Sequence, residues 1–214
     1  RSPAVCFCLC WGGIIQRVPS IRVCLPMIQI LEKPEIRRMA MPMSVEQYHR
    51  LSASGVVPEP TELLRGVVIE KMSKSPLHVY IVRWLYEWLS ANITGHLHVR
   101  QEQPLTFADS EPEPDIAVVE GAVGDFRNAH PGTARFIIEV AIASHELDRE
   151  KGAVYAEASV PEFWIVLPEE RAIEIYTAPS SQGYQQMQRH EDVDAPLTST
   201  VFSTLSLTPR ELFS

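Results

Sequence analysis

Apolar and polar positions alternate between two periods along this chain, and the switches mark its elements. Val45, Tyr48 and Leu51 recur at helical spacing behind Ser44, which with Gln47 three residues on forms a capping box. Gly55 and the Pro58/Pro60 segment end that helix. Glu62 to Met72 reads as a hairpin bent at Arg65-Gly66. Ser75-Pro76 is a helix start, a cap followed by proline at the first helical position. The helix it opens runs to about Asn92, with Val79, Val82, Leu85, Tyr86 and Leu89 on its apolar stripe. Trp84 and Trp88 share a face of it, as core or dimer surface.

The period then drops to two. Leu97, Val99, Gln101, Gln103, Leu105 and Phe107 alternate with His98, Arg100, Glu102 and Thr106, the pattern of a strand with one exposed face. Gln101 and Gln103 are poor core residues and are expected to point into a cleft. Short apolar runs follow at 116–119, 136–138 and 163–167, with a punctuated loop over 120–133 and a helix opened by Ser144 or Asp148 and ended at Val160-Pro161. The runs 162–167 and 171–177 read as a hairpin about Pro168-Glu169-Glu170. Residues 183–190 and 200–207 complete the sheet or its edge, and Thr208-Pro209 starts a short terminal helix. Strands mixed with helices predict an α/β (α+β mixed) domain: a mixed central sheet flanked by helices, with an N-terminal β-hairpin.

The first forty residues do not match the body. They carry six Lys+Arg and two Asp+Glu, whereas the remaining 174 carry 13 and 25, within a formal net charge of −8. The apolar run near Arg1 is too short to span a membrane. Residues 1–40 are therefore expected to be a leader or disordered tail outside the domain, which occupies 41–214. All four cysteines (Cys6, Cys8, Cys10 and Cys24) lie in this leader. A cysteine-free body argues against a disulfide-stapled secreted fold and for a reducing, cytoplasmic setting.

Chemistry enters where acids interrupt the apolar runs. Asp115 leads into Ile116–Val119, and Glu139 follows Phe136, Ile137 and Ile138. A carboxylate among apolar strand residues is costly to bury unless something pairs with it. If adjacent strands bring these acids together, they can share a divalent ion of the hard, oxygen-preferring kind, Mg²⁺ or Mn²⁺, with the Val140 carbonyl as a further ligand. Lys151, in the Asp148-Arg149-Glu150-Lys151 cluster, would orient a water or stabilise developing negative charge. Tyr155 lies one turn beyond it on the same helix face. Glu62 is either a surface acid or an active-site acid at the pocket rim. His78, in the first turn of its helix, is either structural or catalytic. No P-loop, dinucleotide fingerprint, HExxH or nucleophile elbow is present, so no nucleotide cofactor is expected. The acidic body repels a phosphate backbone at long range, which a metal ion and a local basic rim from Arg65, Lys71, Lys74 or Arg100 would have to overcome.

Pro114-Asp115 followed by Glu139-Val140-Ala141 resembles the PD-(D/E)xK nuclease signature, with Ala141 at the usual lysine position. ELLRGVVIEKM, EPEPDIAVV, FIIEVA, LDREK and VYAEASVPEFWIV together resemble the Uma2 family over about residues 43–213. These are restriction-endonuclease-like proteins, formerly a domain of unknown function, multiplied in cyanobacteria and some other bacteria. The resemblance implies a restriction-endonuclease-like core and a divalent-metal-dependent endonuclease hydrolysing phosphodiester bonds in DNA. It maps the metal acids onto Asp115 and Glu139, the early acid onto Glu62 and the displaced lysine onto Lys151. The chain departs from the family pattern at Arg65, where a short acid is usual, and in the spacing from Asp148 to Lys151. A catalytically weak nuclease-fold accessory protein and a small-phosphoester hydrolase are the competing expectations. Duplex cleavage by two sites makes a homodimer plausible.

Overall fold

The computed structural model describes residues 31–142 and 144–214. The first thirty residues of the expected leader lie outside them, and within 31–41 Pro34–Arg37 forms one helical turn. Residues Pro42–Ser214 form a compact unit.

That unit begins with α1 (Val45–Ala53), whose Ser44/Gln47 capping box satisfies two N-terminal backbone donors. Tyr48 on α1 packs with Val57 and Leu63, and its hydroxyl donates to the Thr61 carbonyl at 2.9 Å. The hairpin follows: β1 (Thr61–Leu64) pairs antiparallel with β2 (Val67–Glu70). Its two-residue turn holds Arg65 and Gly66 at φ of 50° and 73°, the left-handed pair that matches the twist of the strands. A Cβ at Gly66 would come within 2.4 Å of the Pro42 Cβ, so glycine is required there.

The main sheet has six strands in the order β3 (Leu97–Gln101), β4 (Ile116–Glu120), β5 (Phe136–Val140), β6 (Glu162–Leu167), β7 (Ala172–Ser180) and β8 (Gly183–His190). Only β5 and β6 run parallel. A parallel pair needs a long crossover, and α3 (His145–Glu157) supplies it. On one face α2 (Pro76–Asn92) lays Ile81, Val82, Leu85 and Leu89 against Val99, Ile116, Val118, Phe136, Ile138 and Trp164. On the other, Tyr155 of α3 packs with Ala117, Val119, Ile137, Phe163 and Ile165. The result is the expected mixed sheet flanked by helices. Among the described residues no helix is long and apolar enough to cross a membrane.

Four expectations are corrected. On α2, Val79 is exposed and the buried face runs instead through Ile81, Val82, Leu85 and Leu89. The strand expected to reach Phe107 stops at Gln101, because Glu102 turns to a left-handed φ of 52° and donates its N–H to the Asp115 carbonyl. Leu105 then drops into the core beneath α3. Arg100, expected on an exposed face, is buried with its guanidinium 5.2 Å from the Phe126 ring centroid. Finally, β8 closes the main sheet, whereas the 200–207 region stays outside it. There β9 (Leu197–Thr198) and β10 (Ser206–Leu207) pair only with each other, before the terminal turn α4 (Pro209–Leu212). Buried Glu162 anchors this region, its carboxylate accepting from the Ser199 and Thr200 hydroxyls and the Thr200 and Val201 N–H groups.

Candidate metal centre

Strand register brings the two strand acids together. Ile116 faces Ile138 across the antiparallel β4–β5 pair, so Asp115 and Glu139 are opposite one another one step beyond. Each accepts a backbone N–H from the opposite strand: the Asp115 N–H donates to Glu139 Oε2 at 3.2 Å, and the N–H of Val140, next to Glu139, donates to Asp115 Oδ2 at 2.8 Å. Val140 thus contributes its N–H to the site.

The helix α3 provides the third group. Asp148, Lys151 and Tyr155 fall at i, i+3 and i+7, one face of the helix, and all three are buried. Gly152 lets that face approach the sheet, since a Cβ there would meet Phe163 at 3.0 Å. Lys151 Nζ lies 3.3 Å from Glu139 Oε1 and 3.1 Å from Glu62 Oε1. The Tyr155 hydroxyl donates to Glu139 Oε1 at 2.6 Å. Glu62, expected at the rim, is instead at the floor and only 2% exposed; its Oε2 accepts the Glu113 N–H at 3.2 Å. Tyr155 supports Glu139 from beneath and does not line the cleft.

Toward the mouth stands His78, its N–H capped by the Ser75 hydroxyl and its Nε2 3.2 Å from Asp115 Oδ2. Its Nδ1 is buried and has no partner among the described residues. His78, Glu102 and Asp115 each offer a ligand atom, all within 4.8 Å of one another. Glu102 was not singled out in the sequence; the flanking Gln101 and Gln103 were, and neither lines the cleft. The left-handed residue explains the shift. It breaks the alternation at 102 and turns the acid, not the amides, toward Asp115, at a conformational cost of about 1–2 kcal/mol.

The cleft has a volume of about 790 Å³ and is lined by Glu62, Glu70, Glu113, Asp115, Glu139 and Asp148 against Lys71, Lys74 and Lys151. Six carboxylates against three ammonium groups leave an excess of negative charge. The rim cations are fewer than expected. Lys71 and Lys74 are present, paired with Glu113 and Glu102. Arg65 instead forks onto Glu157, outside the cleft lining, and Arg100 is buried away from it.

Burial raises the Glu139 carboxyl. The Lys151 ammonium opposes this, but Asp115 and Asp148 reinforce it, and the pKa is pushed up to about 8. Asp148 is raised as well, by burial first, despite Lys151 and the Ser144 hydroxyl. For Lys151 burial acts downward, yet Glu139, Glu62 and Asp148 together outweigh it and hold the ammonium well above the ordinary lysine range. A lysine so placed stays protonated at neutral pH. It serves as a fixed positive charge, not as a base.

These residues fit a divalent cation. One imidazole and two carboxylates converge, and the remaining acids are short of positive charge.

The model of the Uma2 family, described as "Putative restriction endonuclease", matches residues 45–210. Among solved structures, a protein from Anabaena variabilis described as "a putative nuclease belonging to DUF820" superposes with a TM-score of 0.67 at 18% identity, covering 80% of this chain and 98% of that one. No curated protein matches. A family match over most of the domain leads to one statement: the chain belongs to the Uma2 family.

Proposed function

We propose that this protein is a divalent-metal-dependent endonuclease that hydrolyses phosphodiester bonds in DNA. The observation that carries the reading is the convergence of Asp115, Glu139, Lys151 and His78 in one acid-rich cleft, with a Glu102 oxygen within 4.8 Å of ligand atoms of His78 and Asp115. Mg²⁺ or Mn²⁺ held there would polarise the phosphodiester and lower the pKa of a water molecule. Asp115, with His78 and Glu102, positions the cation. Glu139 closes the site from the side of the lysine and is itself oriented by the Tyr155 hydroxyl. The permanently charged Lys151 stabilises negative charge developing on the phosphoryl oxygens. Glu62 holds the ammonium in place at 3.1 Å. The setting is read as cytoplasmic, and the acting form on duplex DNA as a homodimer.

Residues 41–214 are proposed as the functional domain, with 1–40 a leader or tail. The cleft volume favours a second reading. About 790 Å³ falls within the range of small-ligand sites, which suits a small-phosphoester hydrolase.

The test is cleavage of supercoiled and linear DNA, RNA and bis(p-nitrophenyl) phosphate with Mg²⁺ or Mn²⁺, by wild type and Glu139→Ala. DNA cleavage that falls at least about a hundredfold in the variant supports the endonuclease. Turnover of the small diester alone supports the second reading. Equal activity in both proteins rules out the site, and no turnover of any substrate leaves an accessory, non-catalytic nuclease fold.

A further inference from the structure

Two lysines that line the cleft are paired with acids in opposite ways. Lys151 is enclosed, 6% exposed, and shared among buried carboxylates of three elements. Lys74 belongs to residues 71–75, which form no helix or strand, and its side chain is 35% exposed. Its Nζ lies 2.6 Å from Glu102 Oε1. Glu102 is also one of the three residues whose ligand atoms gather within 4.8 Å. An ammonium therefore sits directly on a carboxylate of the candidate cation site. Lys71, on the same wall, pairs with Glu113, which is not in that cluster. Among the described residues, Lys74 is the cation on the cleft rim that is paired with a candidate ligand.

A carboxylate oxygen that bonds a divalent cation at about 2.0–2.6 Å cannot keep a close ammonium on the same lone pairs, and the two positive charges repel. The half-exposed lysine on an irregular segment is the partner that can move. Its reach from the cleft wall, beside Ser73 and Ser75, leaves it at the mouth, where a phosphate next to the scissile one would lie.

We propose that Lys74 is a displaceable stand-in for the cation: its ammonium neutralises Glu102 until a divalent ion is bound with His78 and Asp115, and the released ammonium then contacts a flanking phosphate of the nucleic acid. The inference rests on the metal-dependent nuclease reading and adds to it an order of events, with the cation first and the phosphate grip second. It also explains why Lys74 is neutralised in advance by a candidate ligand: it is held in reserve.

The experiment is calorimetric titration of Mn²⁺ alone into the full chain near neutral pH. The proteins are wild type, Lys74→Met, Lys71→Met, Glu102→Gln and the Lys74→Met/Glu102→Gln double variant. Removing any rim lysine lowers the local positive charge, so Lys71→Met measures that general effect. Lys74→Met tightens Mn²⁺ binding by about two- to fivefold, the worth of a partly exposed ion pair, and more than Lys71→Met does. In the Glu102→Gln background the added gain from Lys74→Met disappears. In a second arm, binding of a fluorescein-labelled DNA duplex is followed with Ca²⁺ present to limit turnover. Lys74→Met weakens it and reduces the salt slope by about one.

Equal tightening by both lysine variants, a Lys74 effect that persists in Glu102→Gln, or unchanged duplex affinity and salt slope overturns the proposal while the metal reading stands. Failure of the wild-type chain to bind Mn²⁺ at millimolar concentration overturns both. Lys74 is outside the core, so its removal leaves the fold intact, and thermal unfolding of each variant verifies this.

Discussion

Glu139 and Glu174 stand in one cross-strand row, each facing Ile165, on the sheet face covered by α3. Both are buried glutamates, and both are met by a basic residue of the same helix. There the likeness ends. Glu174 receives Arg149 through two nitrogens at 3.1 and 2.7 Å, Arg189 at 3.2 Å and the Tyr176 hydroxyl at 2.7 Å. Burial pushes its carboxyl up, but these donors outweigh it and the net shift is downward. Glu139 has one hydroxyl, the Asp115 N–H and one ammonium, the last shared with Glu62 and Asp148, and its pKa rises to about 8. A buried acid with a full complement of cations is a brace. A group of acids sharing too few is a site with a deficit that a further cation fills.

The largest expected effect breaks the pair at its bases. Lys151→Met leaves three buried acids without their counter-charge and lowers unfolding free energy by about 3–5 kcal/mol without metal. Arg149→Met removes a half-exposed side chain from an acid that keeps Arg189, and costs about 1 kcal/mol. Urea unfolding in chelator measures both, and equal losses would erase the distinction.

Substituting the acids themselves gives opposite signs with pH. Folded Glu139 keeps its proton to about pH 8, whereas its unfolded value is near 4.5. The folded state therefore binds more protons between these values, and wild-type stability falls as pH rises through that window. Glu139→Gln lacks that loss. In chelator its advantage grows from pH 4.5 to 8 and reaches on the order of 5 kcal/mol above it. The folded Glu174 value lies below 4.5, so its contribution is present above that pH and lost as pH falls through the folded value. Glu174→Gln costs about 1–2 kcal/mol at neutral pH, and the cost disappears in acid. Thermal unfolding across the pH range reads both curves; parallel curves would contradict the contrast.

Tyr155→Phe is a smaller change. It removes one donor from Glu139, costs about 1 kcal/mol of stability and lowers metal-supported cleavage by about 10–100-fold through the orientation of that carboxylate. Activity unchanged in the variant would remove Tyr155 from the site. Arg83→Ala is smaller still. Its pair with Glu87 at i,i+4 is exposed on both sides, and a shift of more than about 0.5 kcal/mol would exceed what such a pair contributes.

Much of the site was legible because its residues break a local pattern. Asp115 and Glu139 interrupt apolar strands, and antiparallel pairing fixes one opposite the other. Lys151 and Tyr155 share a face by helical spacing alone. Ser44 and Ser75 announced their helices by side-chain chemistry within four residues. Glu102 was not legible because its role depends on a left-handed backbone that sequence alternation conceals, and alternation pointed to Gln101 and Gln103 instead. Asp148 read only as part of a charged helix start; its burial comes from packing of α3 on the sheet. The burial of Arg100 depends on Phe126, from a loop whose path no local signal sets. Edge assignment failed at 200–207 for a related reason, since Glu162 holds that segment by hydrogen bonds from residues nearly forty positions away.

The claim that the cleft is a cation site is tested most directly by soaking crystals in Mn²⁺ and computing an anomalous difference map at a wavelength where manganese scatters. The expected result is a peak within bonding distance of His78 Nε2 and an Asp115 oxygen, with Glu102 turned toward it and away from Lys74. A map with no peak in the cleft, at Mn²⁺ concentrations that saturate other ordered sites, would contradict it.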